Sequence, residues 1–426
     1  WLKKIMKEKI LKIIRTKTFS QTLVTSFGTI VNGVLGLFFY VLAARYLGPS
    51  KFGIFSISVT AVALIASIAN FGVDTGLVRF VGSYINSDRQ KALKFLKAGF
   101  YIKVVSSLLV IILGWYLVPF AAIKFFQKSE LIFPLRLSLV GVGSALLFSY
   151  VSSAVQALQR FWVWSGLNIF SNLLRLLATI GLFALGLFSV QSALSVYIIF
   201  PFLGFLVGLF FLPNFFKVKK ERAILSEFMK FNGWVAAFTI IAAIASRLDT
   251  FLSARFLTLV DVGIYSVAVS LSGFIPQVVF AIGTVVAPKL ASFTSKADAL
   301  KYLKKLQLFV IGIGVFGVVI GIPLSHLVIP FFYGGEYVLS IYPFIILLVA
   351  QAIFLISIPV HTAIIYYFSY PKLFVYITLI NFLILLVGGW YAISTFGYIG
   401  AGWVFLIGNI SNFIIPFVWV VKKFNK

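Results

Sequence analysis

Long apolar runs separated by short polar connectors make up most of this chain. A helix needs about 20 apolar residues to cross the hydrocarbon core of a bilayer, which is about 30 Å thick. Twelve runs reach that length, and the pattern therefore predicts an all-α polytopic membrane protein. The predicted spans are residues 19–44, 52–80, 92–120, 131–157, 161–187, 190–216, 228–256, 262–287, 303–329, 338–366, 371–395 and 398–421.

The composition supports this prediction. Hydrophobic residues make up 61% of the 426 positions and charged residues only 11%, whereas about a quarter of a soluble protein is charged. So little polar surface cannot cover the apolar groups of a water-soluble globule. The composition therefore excludes an ordinary soluble domain.

The charge distribution predicts the orientation of the spans. The formal net charge is +26, and most of the 36 Lys and Arg residues lie in alternate connectors. Basic connectors stay in the cytoplasm, which predicts an even number of spans with both termini inside. The outer connectors hold only Arg45, Lys51, Lys124, Lys128 and Arg255. Because the basic residues lie mainly in short connectors between the apolar spans, we interpret the charge as topological and expect no nucleic-acid binding.

Several kinds of chemistry lack the residues they need. The chain has no Cys and only two His, and it has no Walker A sequence. We therefore expect no metal site, no cofactor and no ATP motor within this chain. The predicted outer loops are short and offer only isolated acids, which argues against an enzyme of envelope assembly. We expect a non-enzymatic membrane protein.

One short sequence occurs twice, about half the chain apart. Ala43–Ser56 reads AARYLGPSKFGIFS, and Ser253–Ser266 reads SARFLTLVDVGIYS. An offset of 210 pairs Arg45 with Arg255 and Gly53 with Gly263. Such a repeat predicts two six-span halves related by a pseudo-twofold axis along the membrane normal, with a cavity between them near mid-bilayer. The predicted segments are a basic amphipathic arm at 1–18, a first bundle at 19–216, a basic cytoplasmic connector at 217–230 and a second bundle at 231–426.

The repeated arginines have two interpretations. Arg45 and Arg255 lie at the predicted outer ends of spans one and seven. They either anchor the helices at lipid headgroups or face a substrate.

Span five carries a polar stripe. Asn168, Asn172 and Arg175 follow at i, i+4 and i+7, and therefore share one face of a helix. The stripe predicts either a wall of a wet cavity or a hydrogen-bonded cluster between helices. Asn32 lies on a similar stripe in span one, with Gln21, Thr25 and Gly28.

Span seven carries an acid and a base near its middle. Asp249 shares a face with Asn232, Thr239, Ser246 and Ser253 and is predicted to face the cavity. Arg247 is two residues away, about 200° around a helix, and so faces elsewhere. It either lines a lateral opening or pairs with an acid on a neighbouring helix.

Three further charged residues lie towards the predicted inner ends of spans. Lys103 is about two turns into span three, where snorkelling to the interface is the favoured interpretation. Asp74 and Arg79 lie on one helix in span two, which predicts a local ion pair between them.

The sequence ARYLGPSKFGIFS, followed by an apolar span and NFGVDTGLVRF, resembles the polysaccharide transporter family. RLDTFLSARFLTLVDVGIYSVAVS in span seven resembles a second copy of the same pattern. The family belongs to the multidrug/oligosaccharidyl-lipid/polysaccharide (MOP) exporter superfamily and includes the O-antigen (Wzx-type) flippases. The resemblance implies a MATE-like fold and a flippase for polyprenyl-diphosphate-linked oligosaccharide in a prokaryotic plasma membrane. It also implies an Asp at position 249, which could couple transport to H⁺ or Na⁺.

Two alternatives stay open. A cation-coupled multidrug exporter of the same superfamily would need acids in its cavity, but basic residues outnumber acids in these spans. A membrane enzyme of envelope assembly would need an external catalytic loop. For the flippase we expect a monomer contacting membrane lipids, with Asp249 and Asp74 as coupling candidates. The substrate-binding candidates are Arg175, Arg247, Asn168, Asn172, Asn32, Arg45, Arg255 and Lys103.

Overall fold

A computed structural model describes residues 17–425 except 220, 277–278, 280–281, 283–285, 287–288, 291 and 371. The predicted arm at 1–18 therefore lies almost wholly outside the described residues, as does part of the predicted span 262–287. The described chain is helical and contains no strand. Its α-helices are α1 Lys17–Ala69, α2 Val73–Tyr84, α3 Arg89–Phe120, α4 Ile132–Ala157, α5 Phe161–Ala184, α6 Val190–Leu209, α7 Arg222–Ala245, α8 Leu248–Phe256, α9 Leu259–Ser272, α10 Lys296–Tyr333, α11 Ile341–Ile356, α12 Ile358–Thr362, α13 Lys372–Leu383 and α14 Gly389–Asn425.

Short helical turns of other types join some of these helices. π-helical turns lie at Ala121–Phe125, Ala363–Tyr367 and Ile384–Gly388, and 3₁₀ turns lie at Ser129–Leu131 and Gly335–Ser340. Polar side chains cap the N-termini of several helices. The Asp88 side chain accepts the N–H of Lys91 at 2.9 Å where α3 begins, and Ser189 forms a capping box with Ser192 at the start of α6.

Nine helical stretches within the described residues are long and apolar enough to cross a membrane. Two of them are far too long for one crossing, at 46 and 54 residues, since 46 residues of α-helix span about 69 Å. Each contains a glycine in the left-handed region, Gly48 at φ 72° and Gly397 at φ 64°. Pro49 follows the first break and, lacking an N–H, suits a helix start. Each stretch thus divides at the places predicted between spans one and two and between spans eleven and twelve.

The predicted continuous span 228–256 is wrong in two respects. Its helix starts earlier, at Arg222, and ends at Ala245, and a separate helix begins at Leu248. Arg247 lies in the break, and its N–H donates to the carbonyl of Ile244 at 3.2 Å, a tighter turn than the α-helical one. The sequence has neither Gly nor Pro there, so local propensity gave no signal for the break.

The chain folds into two compact units. The first comprises the described residues up to Phe39, with Ser58–Lys124 and Lys128–Ala243. Its core includes stacked rings of Phe80 and Phe95, 4.5 Å apart, and the fully buried Phe228. The second comprises Tyr40–Ile57, Phe125–Gln127 and the described residues from Ile244 onwards. The whole first repeated sequence, Ala43–Ser56, therefore belongs to the unit that also contains the second copy.

Candidate functional site

Arg175 on α5 lies against two aromatic rings inside the first unit. Its guanidinium carbon is 4.5 Å from the ring centre of Phe39 and 5.1 Å from that of Tyr197. These two rings stack on each other with centres 6.2 Å apart. The guanidinium also donates a hydrogen bond to the side-chain oxygen of Asn172. Ring faces and an amide therefore orient a cation near the middle of an apolar helix.

The amides of α5 and α1 continue this polar chain. The Asn172 side chain donates to the side-chain oxygen of Asn32 and, at 3.3 Å, to the carbonyl of Asn168. Asn168 instead donates to the carbonyl of Trp164 on its own helix, at 2.8 Å. The structure thus brings together Asn32, Asn172 and Arg175, all half-buried, while Asn168 bonds within α5.

A glycine sets the distance between α1 and α5. A methyl group at Gly28 would overlap the hydroxyl of Ser165, and that hydroxyl donates to the carbonyl of Val24 at 3.2 Å. Asn32 lies one turn beyond Gly28, and Asn172 lies two turns beyond Ser165, so the close approach places the two amides opposite each other. Small residues permit such close packing of membrane helices.

Lys103 forms a buried cluster with Asp74 and Ser149. Its ammonium is 2.9 Å from the carboxylate of Asp74 and 2.7 Å from the hydroxyl of Ser149, and the side chain has no exposed surface. The expected snorkelling of Lys103 is therefore wrong. The expected pair of Asp74 with Arg79 is also wrong, because Asp74 meets α3 while the Arg79 guanidinium lies 4.2 Å from the ring centre of Phe231. A buried ammonium needs an opposite charge and further hydrogen bonds, and α2 and α4 supply them.

Asp249 lies in the packed interior of the second unit. Its carboxylate accepts a 2.8 Å hydrogen bond from the hydroxyl of Tyr265, which is fully buried. Asp249 itself is only 9% exposed, so it does not lie on a water-facing stripe as expected. Arg247 is half-buried at the helix break. The predicted stripe of span seven is interrupted there, and its other end, Asn232, is fully buried in the first unit.

Arg45 caps a helix end. Its guanidinium donates to the carbonyl of Phe331 at 2.8 Å and more weakly to that of Phe332. These carbonyls lie in the last turn of α10, where no further turn of the helix supplies donors. Arg255, its equivalent in the repeat, lies with its guanidinium 5.8 Å from the ring centre of Phe256. The two repeated arginines thus have different contacts.

The repeated glycines make equivalent contacts within the second unit. A methyl group at Gly53 would overlap the carbonyl oxygen of Leu259, and one at Gly263 would overlap that of Pro49. Position 49 is the repeat equivalent of position 259, so each glycine meets the same site in the other copy. The sequence repeat pairs the two glycines but does not predict this contact.

Two side chains of the 3₁₀ turn Gly335–Ser340, which the sequence pattern did not single out, form hydrogen bonds with the two copies of the repeated sequence. The hydroxyl of Tyr337 donates to the carbonyl of Ala44 at 2.8 Å, and that of Ser340 donates to the carbonyl of Ile264 at 2.8 Å. Both side chains are buried. No periodicity in the sequence singles them out, because each acts through a backbone carbonyl far along the chain.

The chain belongs to the polysaccharide biosynthesis protein family, whose model matches residues 19–294. Its fold is similar to the inward closed conformation of the lipid II flippase MurJ (18% identity, 94% of this chain and 89% of that one, TM-score 0.75). It is also similar to an inward-facing multidrug resistance MATE family transporter of the MOP superfamily (13% identity, 92% and 94%, TM-score 0.74). A third similar structure is a MOP superfamily transporter from Pyrococcus furiosus with a binding pocket of reverse polarity (12% identity, 95% and 94%, TM-score 0.59). Among curated proteins, none matches this sequence.

The family match confirms the predicted polysaccharide family, and the similar structures include a transporter of the MOP superfamily. They also confirm the all-α, MATE-like membrane fold of about twelve spans.

Proposed function

We propose that this protein is a flippase that moves a polyprenyl-diphosphate-linked oligosaccharide across a prokaryotic plasma membrane by alternating access, for cell-surface polysaccharide biosynthesis. Membership of the polysaccharide biosynthesis family supports a cargo that contains a glycan. The similarity to transporter structures supports movement of that cargo across the membrane. A protein of the same fold is named a lipid II flippase, which supports a lipid-linked cargo. Both termini would be cytoplasmic, and the protein would work as a monomer.

The observation that carries this proposal is the setting of Arg175. Charge within a membrane span is costly and marks a functional position. Here the guanidinium of Arg175, which lies within α5, contacts the rings of Phe39 and Tyr197 and the side-chain amide of Asn172. A diphosphate is the anionic part of the proposed cargo, and charge-assisted hydrogen bonds to its oxygens are strong where water is scarce. Arg175 would therefore bind the diphosphate.

The amides beside Arg175 would contact sugar hydroxyls. Asn32 and Asn172 offer donors and acceptors on the same polar chain. Arg247, half-buried at a helix break, is the second proposed cation. The helix-capping geometry of Arg45 and the buried ion pair of Lys103 favour structural roles for both, and Asn168 and Arg255 are weaker candidates.

Asp249 is the proposed coupling residue for H⁺ or Na⁺. It is a buried acid with a hydrogen-bond donor, Tyr265, as its partner. Asp74 is the second candidate, although its ion pair with Lys103 favours a structural role. The same Asp249 would be central to the alternative function, export of organic cations, because such an exporter must bind positive charge.

The test is a flipping assay with purified protein in liposomes that contain a polyprenyl-diphosphate oligosaccharide. Accessibility of the sugar to an impermeant reagent is compared for wild type, Arg175→Ala, Arg175→Lys and Arg136→Ala. Arg136 is a matched control, because its guanidinium carbon also lies 4.5 Å from a ring centre, that of Trp115.

The flippase predicts exposure of the sugar by wild type and the Arg136 variant, at least tenfold slower exposure by Arg175→Ala, and partial recovery in Arg175→Lys. Movement that is equal in all four proteins would remove Arg175 from the mechanism. No movement of the lipid by wild type, together with export of a cationic dye down an ion gradient, would favour the multidrug exporter.

A further inference from the structure

A groove of about 760 Å³ opens on the first unit, between α3 and the connector that leads into α7. We call it the connector groove. Its lining is basic at one end and apolar at the other. The basic end is formed by Lys94, Lys97, Lys219 and Arg222, and the apolar end includes Ile102 and Val105.

Two of its four cations are occupied by the protein itself. The ammonium of Lys94 pairs with the carboxylate of Glu221. The ammonium of Lys97 donates to the carbonyls of Phe216 and Val218, at 2.7 and 2.6 Å. These contacts hold the connector against α3, and they neutralise Glu221, the one acid among the described residues of the lining.

The other two cations remain available to a ligand. Lys219 and Arg222 are exposed, and neither forms an ion pair within the described part of the chain. An anion bound there would meet two positive charges not neutralised by a carboxylate. Basic clusters at the cytoplasmic end of membrane helices attract anionic headgroups.

The apolar end of the groove continues along α3. Val105 lines the groove and is exposed, and Leu108, Leu109 and Ile112 are exposed beyond it. Their spacing of three, four and seven residues from Val105 puts them on one face of the helix. A hydrocarbon chain that leaves the groove can therefore follow a continuous apolar strip.

We propose that the connector groove binds an anionic phospholipid, with its phosphate at Lys219 and Arg222 and an acyl chain along the Val105 face of α3. The occupant is an amphiphile because one charged end and one apolar end meet in one groove. It is a phospholipid rather than a glycolipid cargo because the described residues of the lining offer a sugar the hydroxyls of Tyr101 and Ser106 but no side-chain amide. The proposal does not depend on the cargo of the transporter.

The test measures binding of phosphatidylglycerol and phosphatidylcholine with identical chains to the full-length protein in detergent, by native mass spectrometry. The variant Lys219→Ala/Arg222→Ala removes the proposed phosphate site. The matched control Lys217→Ala/Lys230→Ala removes two exposed cations that do not line the groove, one in the connector and one on α7. Unfolding temperatures in lipid-free detergent check that both variants fold as wild type does.

We expect wild type to prefer phosphatidylglycerol, and the groove variant to bind it about 25-fold more weakly, since each of the two cations contributes about fivefold. The control variant should bind as wild type does. Equal binding of the two lipids by wild type, or equal loss in both variants, would overturn the groove as an anionic lipid site. Displacement of phosphatidylglycerol by a stoichiometric amount of polyprenyl phosphate would instead assign the groove to the cargo and would also overturn the proposal.

Discussion

Gly53 and Gly263 lie 210 residues apart in the sequence and meet backbone to backbone in the second unit. A methyl group at Gly53 would be 3.2 Å from the backbone nitrogen of Gly263 and would overlap the Leu259 carbonyl. The reciprocal contact joins Gly263 to Pro49. A symmetric contact of this kind gives both copies of the repeated sequence the same steric requirement, which explains why each retains a glycine at this position.

Gly53→Ala and Gly263→Ala should each destabilise the protein by about 1–3 kcal/mol, the usual cost of forcing extra volume into a packed interface. The measurement is thermal unfolding of the purified protein. Gly317→Ala on α10 is the control, because a methyl group there meets nothing within 4 Å. If all three variants unfold alike, the glycines are not required for close packing.

Breaking the ion pair of Lys103 and Asp74 should be costly. Lys103→Met leaves the carboxylate of Asp74 without its cation, and Asp74→Asn leaves a buried ammonium. Loss of one partner of a buried pair costs about 3–5 kcal/mol. Equilibrium unfolding should show each single variant less stable than the double variant Lys103→Met/Asp74→Leu, in which neither charge remains. Single variants as stable as wild type would contradict the buried pair.

The repeated arginines should respond unequally to substitution. Arg45→Ala removes the 2.8 Å hydrogen bond to the Phe331 carbonyl and should lower stability by about 1 kcal/mol. Arg255→Ala removes a distant ring contact and should lower it by less. Unfolding temperatures of the two variants, measured side by side, provide the comparison. Equal losses would indicate an equivalent role, such as anchoring at headgroups.

Substitutions at Asp249 and Tyr265 distinguish a role of Asp249 in ion-coupled transport from a role in stabilising the fold. Asp249→Asn should retain the fold but abolish any dependence of transport on an ion gradient. Tyr265→Phe keeps the acid, removes its 2.8 Å hydrogen bond and should cost about 1.5–3 kcal/mol of stability. Transport in liposomes with and without a pH or Na⁺ gradient is the readout. Gradient-dependent transport by Asp249→Asn would exclude this residue as the coupling site.

Features that depend on local pattern could be predicted from the sequence. The apolar runs predicted most spans because helix length must match the bilayer. The spacing of Asn172 and Arg175 predicted their common face, and the repeat marked Gly53 and Gly263.

Features that depend on a distant partner could not be predicted. Asp74 pairs with Lys103 on another helix, not with its sequence neighbour Arg79. The Lys103 ammonium is buried and needs an opposite charge close to it, and the fold brings Asp74 there. The break before Leu248 involves neither Gly nor Pro, and Arg45 caps a carbonyl 286 positions along the chain. Such contacts leave no periodic signal.

The most direct test of the proposed function compares two lipids in the same liposomes with the wild-type protein. Both carry the same glycan and the same polyprenyl tail, but one has a diphosphate linkage and the other an uncharged linkage. Exposure of the glycan to an impermeant reagent is followed over time. A flippase that binds the diphosphate through Arg175 should expose the charged lipid at least tenfold faster. Equal rates for both lipids, or no protein-dependent exposure of either, would contradict it.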